Sequence, residues 1–174
     1  MTGLALWLGT LLVTAAQPSG AAPNDREPIC VYDGLLPAAR NGTLDQPRIT
    51  AARNECRQRF GWTEDQANHG VAVALAVFRM VAADGEARHA GVDPSVIDAI
   101  TDSFGAADVA SLISPGGVMT EQGRATIALV ARRVQERGLT GEQATKTSDA
   151  VLYRMMVRNV IAAFSAEVVP APSP

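Results

Sequence analysis

Two short segments of the sequence, residues 61–67 and 138–144, have the pattern of one helix ending and the next beginning. Each contains a glycine, an apolar residue, a threonine and, three residues after the threonine, a glutamine. Glycine readily ends a helix, and threonine followed by glutamine at this spacing forms a capping box at a helix start. The pattern predicts helices that begin after Thr63 and Thr140. It also leaves open a duplicated helical hairpin, because each segment joins an arginine-bearing helix to a very apolar one.

The composition favours helices along most of the chain, since 30 of its 174 residues are alanine and alanine has the highest helix propensity. A chain of this length is typical of one domain. We predict an all-α, single-domain bundle of five or six helices over residues 46–168, with Asp93 and Thr120 as further N-caps. The predicted helices cover residues 47–60, 63–83, 94–104, 106–113, 120–137 and, most strongly within the helix after Thr140, 149–167.

Two of these helices are apolar enough to be largely buried. The helix after Thr63 is apolar over more than half of its circumference, which predicts that it is the central helix of the bundle. Its predicted inner face consists of Ala67, Val71, Ala74, Leu75, Phe78 and Val81, flanked by Val73, Val77 and Met80. The predicted inner stripe of the last helix consists of Tyr153, Val157, Val160, Ile161 and Phe164.

The segments on either side of the helical domain have few periodic apolar positions. Residues 22–45 contain three prolines and two glycines, which predicts an extended arm that lies on the helical body. Residues 169–174 are rich in proline, and we predict a disordered tail there.

The start of the sequence has the pattern of a secretory signal peptide. Residues 4–16 form a mostly apolar run that Pro18 and Gly20 end, and the run is too short to cross a bilayer. We predict a signal peptide over residues 1–21 that is cut after Ala21, with Thr14 and Ala16 as the alternative site, although no Lys or Arg precedes the run. The alternatives are a buried N-terminal helix of a cytosolic protein and an uncleaved anchor. We expect a periplasmic or secreted protein with no stable membrane span after processing.

The two cysteines, Cys30 and Cys56, are predicted to form a disulfide, because export brings the chain into an oxidising compartment. Cys56 shares one stripe of its predicted helix with Ile49, Ala52 and Phe60, so we expect it to face the core. The two Cα atoms should lie about 5.5 Å apart, and no farther apart than about 7 Å. The alternative is that Cys56 is a reactive nucleophile.

The charge and the residue types exclude several classes of function. A net charge of -3 and a pI of about 5.3 argue against binding to nucleic acid. Two cysteines and two histidines are too few for a four-ligand zinc site without carboxylates. Glu86 and His89 have the spacing of a di-iron ligand pair, but the sequence has no second such pair. His69 with Asp65 at i, i+4 predicts a surface ion pair or a capping interaction. We therefore expect no cofactor.

Charged residues are distributed unevenly along the second half of the chain. Residues 84–121 contain seven acids and Arg88 as the one base, whereas residues 122–158 contain seven bases and three acids. We expect the two segments to pair within the fold. Pairing between two copies, or a basic face for anionic lipid or cell-wall polymer, stays open. Asp98 and Asp102 are predicted to face outward.

The sequence predicts a small exported helical protein that acts by binding a protein or another envelope partner, and not an enzyme. Residues 139–143, Leu-Thr-Gly-Glu-Gln, with variants that begin at Trp62 and Met119, resemble the LTxxQ motif of small helical periplasmic chaperones. This five-residue resemblance implies an alternative function as a holdase, which would need an exposed apolar concavity. An enzyme, the third alternative, would need a cleft that brings His69 or His89 together with a carboxylate.

Overall fold

The structure is a computed structural model that describes residues 27–105 and 120–168. Six helices lie in these residues, and one disulfide, Cys30–Cys56, joins two of them. The helices are α1 (Cys30–Arg40), α2 (Gln46–Phe60), α3 (Glu64–His89), α4 (Pro94–Asp102), α5 (Glu121–Glu136) and α6 (Gly141–Val168). The predicted all-α bundle with one disulfide is confirmed. The predicted signal peptide, the predicted helix over residues 106–113 and the predicted tail lie outside the described residues.

The two longest helices, α3 and α6, form an antiparallel pair that we call the spine. They contain 26 and 28 residues. At one end of the spine, the Gln66 side chain donates a hydrogen bond to the backbone carbonyl of Glu167 at 3.0 Å. At the other end, the Lys146 ammonium group lies 2.7 Å from the Glu86 carboxylate. The other four described helices pack on the spine, so α3 is central, as predicted.

The hydrophobic core has two clusters, one at each end of the spine. The disulfide end is formed by α1, α2, the first half of α3 and the second half of α6. Its buried side chains include Val31, Leu35, Trp62, Val77 and Phe164. The α4 end is formed by α4, α5, the second half of α3 and the first half of α6. Its buried side chains include Ile97, Ile100, Val130, Val134 and Met155.

The predicted extended arm over residues 22–45 is corrected where α1 lies, because Cys30–Arg40 is helical. Val31 and Leu35, four residues apart on one face, are fully buried. Helix α1 is therefore part of the core and does not merely lie on it. Pro37 lies inside α1 and lacks the N–H of a regular helical hydrogen bond, which is why the sequence indicated an irregular segment. Packing of its apolar face stabilises a helix whose propensity alone is weak.

Helix α3 is longer than the sequence predicted. The predicted end of this helix at residue 83 is wrong, because α3 continues to His89 and the chain turns at Gly91, which has a φ of +83°. Polar Asp84 and flexible Gly85 interrupt the apolar pattern, and this interruption indicated a loop. In the structure Asp84 is buried and paired with Arg154, so the helix accommodates it.

Candidate functional site

The predicted disulfide is present, with the Cα atoms of Cys30 and Cys56 6.0 Å apart. Cys56 and Ala52 are buried, and Ile49 and Phe60 are half-buried against the same cluster, so the predicted stripe of α2 does face the core. The disulfide ties α1 to α2. The two sulfurs are bonded to each other, so Cys56 has no free thiol in this state of the protein. The alternative of Cys56 as a nucleophile is therefore wrong for this state.

Three of the residues singled out as N-caps accept hydrogen bonds from the first turn of a helix. Thr63 forms a full capping box with Gln66, in which the side chain of each accepts from the backbone N–H of the other. Thr120 Oγ1 accepts from the N–H of the residue at the third helical position, at 2.8 Å. The Asp93 side chain accepts from the Ser95 N–H at 2.8 Å. Hydrogen bonds from the hydroxyl and then the N–H of Ser95 lower the pKa of Asp93.

The fourth predicted N-cap, Thr140, lies directly before α6. A hydrogen bond from the first turn of α6 to the Thr140 side chain stays a prediction. Its carbonyl accepts from the Ala144 N–H. Gly141 has a φ of +56°, so the chain enters α6 through the left-handed region. The Gln143 side chain donates to the carbonyl of Ala90 at 3.0 Å. This glutamine therefore joins α6 to the turn after α3, a role that the local motif did not indicate.

The pair Glu86 and His89 does not form a metal site in the structure. The Glu86 carboxylate is bound by Lys146, and His89 is exposed. The Lys146 ammonium group donates a hydrogen bond to Glu86, and this bond raises the pKa of Lys146. Within the described part of the chain, no group of three or more His, Cys, Asp or Glu side chains is arranged to hold a metal ion.

The acidic and basic segments pair within the chain, as expected. The Arg154 guanidinium binds buried Asp84 on α3 at 3.0 Å and also binds Asp98 on α4. Arg158 lies 2.6 Å from Asp102 on α4. Hydrogen bonding to Asp84 raises the pKa of Arg154, although partial burial acts in the opposite direction. The two exposed aspartates of α4 thus attach this short helix to the spine.

The outer face of α3 carries an apolar strip of Val71, Leu75, Phe78 and Ala82, at the spacing i, i+4, i+7 and i+11, with Val81 beside it. We call this set the α3 strip. The predicted burial of its larger members is wrong, because Leu75 is 44% exposed and Val81 is 49% exposed. Val71 and Phe78 are half-buried.

The burial of Leu75 and Val81 was wrongly predicted because α3 is apolar on nearly every side. Helical periodicity therefore could not show which face of α3 is buried. Small residues decide which face of α3 is buried, because they let neighbouring side chains approach the helix closely. A Cβ atom added to Gly70 would lie 2.9 Å from Cζ3 of Trp62. The face that is buried consists of Ala67, Gly70, Val73, Ala74, Val77, Ala83, Asp84 and Ala87.

The edges of the α3 strip differ in chemistry. The Tyr32 ring of α1 lies 4.7 Å from the Phe78 ring, centroid to centroid, and covers part of one side. Arg79 and Arg88 flank the strip, and in the described part of the chain neither has an ion-pair partner. In contrast, Arg154 binds two carboxylates. The strip therefore combines exposed apolar side chains with two arginines that form no ion pair within the described residues, although Arg79 lines a groove that also contains Glu86 and Asp149.

A second surface feature, the His69 cleft, lies between α3 and α6 at the disulfide end. Its lining residues are His69, Ala72, Val73, Val160, Ala163, Phe164 and Glu167. His69 Nδ1 lies 2.7 Å from Glu167 Oε2, so the expected pairing of His69 with Asp65 is corrected to a partner on α6. Sequence spacing could not find Glu167, because the contact joins residues 98 positions apart.

No helix in the described ranges is long and apolar enough to span a membrane. Comparisons of the chain with protein-family models, with curated proteins and with solved structures found no match.

Proposed function

We propose that this chain is an exported binding protein that holds a protein partner on the α3 strip. The observation that carries this proposal is the exposure of Leu75 and Val81. Among the described residues, Leu44 is the one other large apolar side chain that is exposed to this degree. Two of these three side chains therefore lie on one face of one helix, beside half-buried Phe78. Exposed apolar side chains gathered in this way are typical of interaction surfaces.

The charges around the strip indicate the chemistry of the partner. Arg79 and Arg88 lie on opposite sides of it without ion-pair partners in the described part of the chain. A partner helix with an apolar face bordered by acidic side chains would match both properties. Such a helix would bury its apolar face on Leu75 and Val81 and bring carboxylates to the two arginines.

The disulfide supports export, because stable disulfides form mainly in oxidising compartments. The test is intact-mass analysis of the protein produced in its own host. We expect the mature chain to begin near Ala22 and to be recovered outside the cytosol. A cytosolic product that retains residues 1–16 would overturn the export part of the proposal.

The binding surface is tested by comparing capture of envelope proteins by the wild type with capture by a Leu75→Ser/Val81→Ser double variant. Leu44→Ser is the matched control, since Leu44 is also exposed but lies outside the strip. A partner retained by the wild type and the control, but not by the double variant, is then purified. Its affinity for the double variant should be weaker by about tenfold or more, as for central interface residues.

Charge reversal sharpens the same test. Arg79→Glu should weaken binding of the purified partner, and an acidic-to-arginine change on the partner helix should restore it. Equal binding by the wild type and the double variant would overturn the proposal. Suppression of aggregation of unrelated denatured proteins would favour the holdase, and strip-dependent binding to anionic vesicles would favour a lipid surface.

A further inference from the structure

The His69 cleft has a polar mouth and an apolar interior. His69 and Glu167 form the mouth, and both are partly exposed. Val73 and Phe164 are almost completely buried beneath it. The cavity has a volume of about 200 Å³, which is smaller than the ~300–1,000 Å³ of pockets for drug-sized ligands. Only a small molecule with a single ring or a short chain would fit.

The hydrogen-bonding character of the mouth follows from the contact between His69 and Glu167. An ionised carboxylate can only accept hydrogen bonds, and His69 Nδ1 lies against Oε2, one of the two oxygens of Glu167. The other oxygen of the Glu167 carboxylate, Oε1, has no hydrogen-bond partner among the described residues. The mouth of the cleft therefore offers a carboxylate oxygen as an acceptor, and a matching ligand group is a donor.

The surrounding charge selects a positively charged donor. Glu167 lies in the last turn of α6, where backbone carbonyls lack helical partners and the helix dipole is negative. Thr63 and Gln66 cap the N-terminus of α3, and Glu64 in its first turn pairs with Arg53 and Arg57 of α2. A cation is favoured over a neutral hydroxyl at such a position.

We propose that the His69 cleft binds a small organic amine, with its ammonium group at the Glu167 carboxylate and its apolar ring or chain in the cavity. Ala72 and Ala163 leave the space for the apolar part, which would contact Val160. This site is separate from the α3 strip and does not depend on the protein partner proposed above.

The test is a titration of the full chain with phenethylamine, followed by the NMR signals of the alanine and valine methyl groups. Saturable shifts are expected at Ala72, Ala163 and Val160. Phenethyl alcohol has the same apolar group without the charge, and phenylacetate carries the opposite charge. The alcohol should bind about tenfold more weakly than the amine, the usual effect of one charge-assisted hydrogen bond, and phenylacetate should not bind.

Two pairs of variants separate binding in the cleft from general surface effects. Glu167→Gln should weaken phenethylamine binding by about tenfold, and Glu142→Gln, a change of the same type in the first turn of α6, should leave it unchanged. Ala163→Leu should fill the cavity and abolish binding, whereas Ala125→Leu on the exposed face of α5 should not. Circular dichroism confirms that each variant is folded. Equal binding of amine and phenylacetate, no saturable shifts with phenethylamine, or full affinity in Glu167→Gln would overturn the proposal.

Discussion

The two ends of the spine hold short helices by different combinations of interactions. Ion pairs occur at both, since Arg53 and Arg57 of α2 bind Glu64 of α3 at the disulfide end. At the disulfide end, the Trp62 ring packs edge-on against Phe164 at 5.0 Å and stacks on Phe60 at 5.4 Å, centroid to centroid. Its Nε1 donates to the Glu27 carboxylate at 2.8 Å. A covalent bond adds to this aromatic cluster, because the disulfide ties α1 to α2.

At the α4 end the core side chains are mostly aliphatic, and ion pairs join the elements. Arg154 binds Asp84 and Asp98, and Arg158 binds Asp102. The α4 helix has 9 residues, too few to be stable without tertiary contacts. Salt and pH act on ion pairs but hardly on an apolar cluster or a disulfide. We therefore expect the two ends to respond differently to the same perturbation.

The largest loss of stability is expected from Trp62→Ala, because the substitution removes the side chain that joins α2, α3 and α6 at the disulfide end. The expected decrease in the free energy of unfolding is about 3–5 kcal/mol, as for large aromatic side chains in cores. Urea denaturation followed by circular dichroism measures it. Trp62→Phe keeps most of the apolar contact and should cost clearly less. A loss below about 1 kcal/mol for Trp62→Ala would show that the cluster is not central to stability.

Removing the disulfide is expected to have the next largest effect. The double substitution Cys30→Ala and Cys56→Ala should lower the free energy of unfolding by about 3 kcal/mol, mainly by relaxing the unfolded chain. Hydrogen exchange should increase first in α1, since Pro37 weakens that helix and the bridge fastens it. The helices of the α4 end should keep their protection. Equal loss of protection at both ends would contradict the division of the core into two clusters.

The α4 end is tested by Asp84→Asn, which removes the buried charge that Arg154 binds. The expected decrease is about 2 kcal/mol, typical of a hydrogen bond between charged groups in a partly buried site. Asp102→Asn is the matched control on exposed α4, where a surface ion pair contributes less than about 1 kcal/mol. Denaturation at low and high salt compares the two variants. If both had the same small effect, Arg154 would act as an ordinary surface residue.

The smallest effects are expected at the helix starts. Thr63→Ala should lower the free energy of unfolding by about 1 kcal/mol, the usual cost of an N-cap. Thr140→Ala should cost less, because Gly141 enters α6 with a positive φ, which departs from the φ of a regular first helical residue. Thermal melts of the two variants make the comparison. A larger loss for Thr140→Ala would reverse this ranking of the two helix starts.

The sequence by itself determined the features that depend on local chemistry. Glycine, proline and threonine residues at the helix ends located α2, α4 and α5 closely, because the ends of a helix are set by residues within one or two turns. The pairing of Cys30 with Cys56 followed from there being two cysteines in a chain with an export signal pattern. The position of Cys56 on the buried stripe of α2 followed from helical spacing.

Only the tertiary structure decided the features that depend on distant partners. Helix α1 forms because its neighbours bury Val31 and Leu35, which overrides the effect of Pro37. The buried face of α3 was decided by close packing on Gly70. Because α3 has apolar residues on every side, its periodicity did not distinguish the buried face from the exposed one. Glu167 became the partner of His69 because the antiparallel spine brings together residues that are far apart in sequence. Both surfaces proposed to bind ligands arise in this way, so local patterns could not have located them.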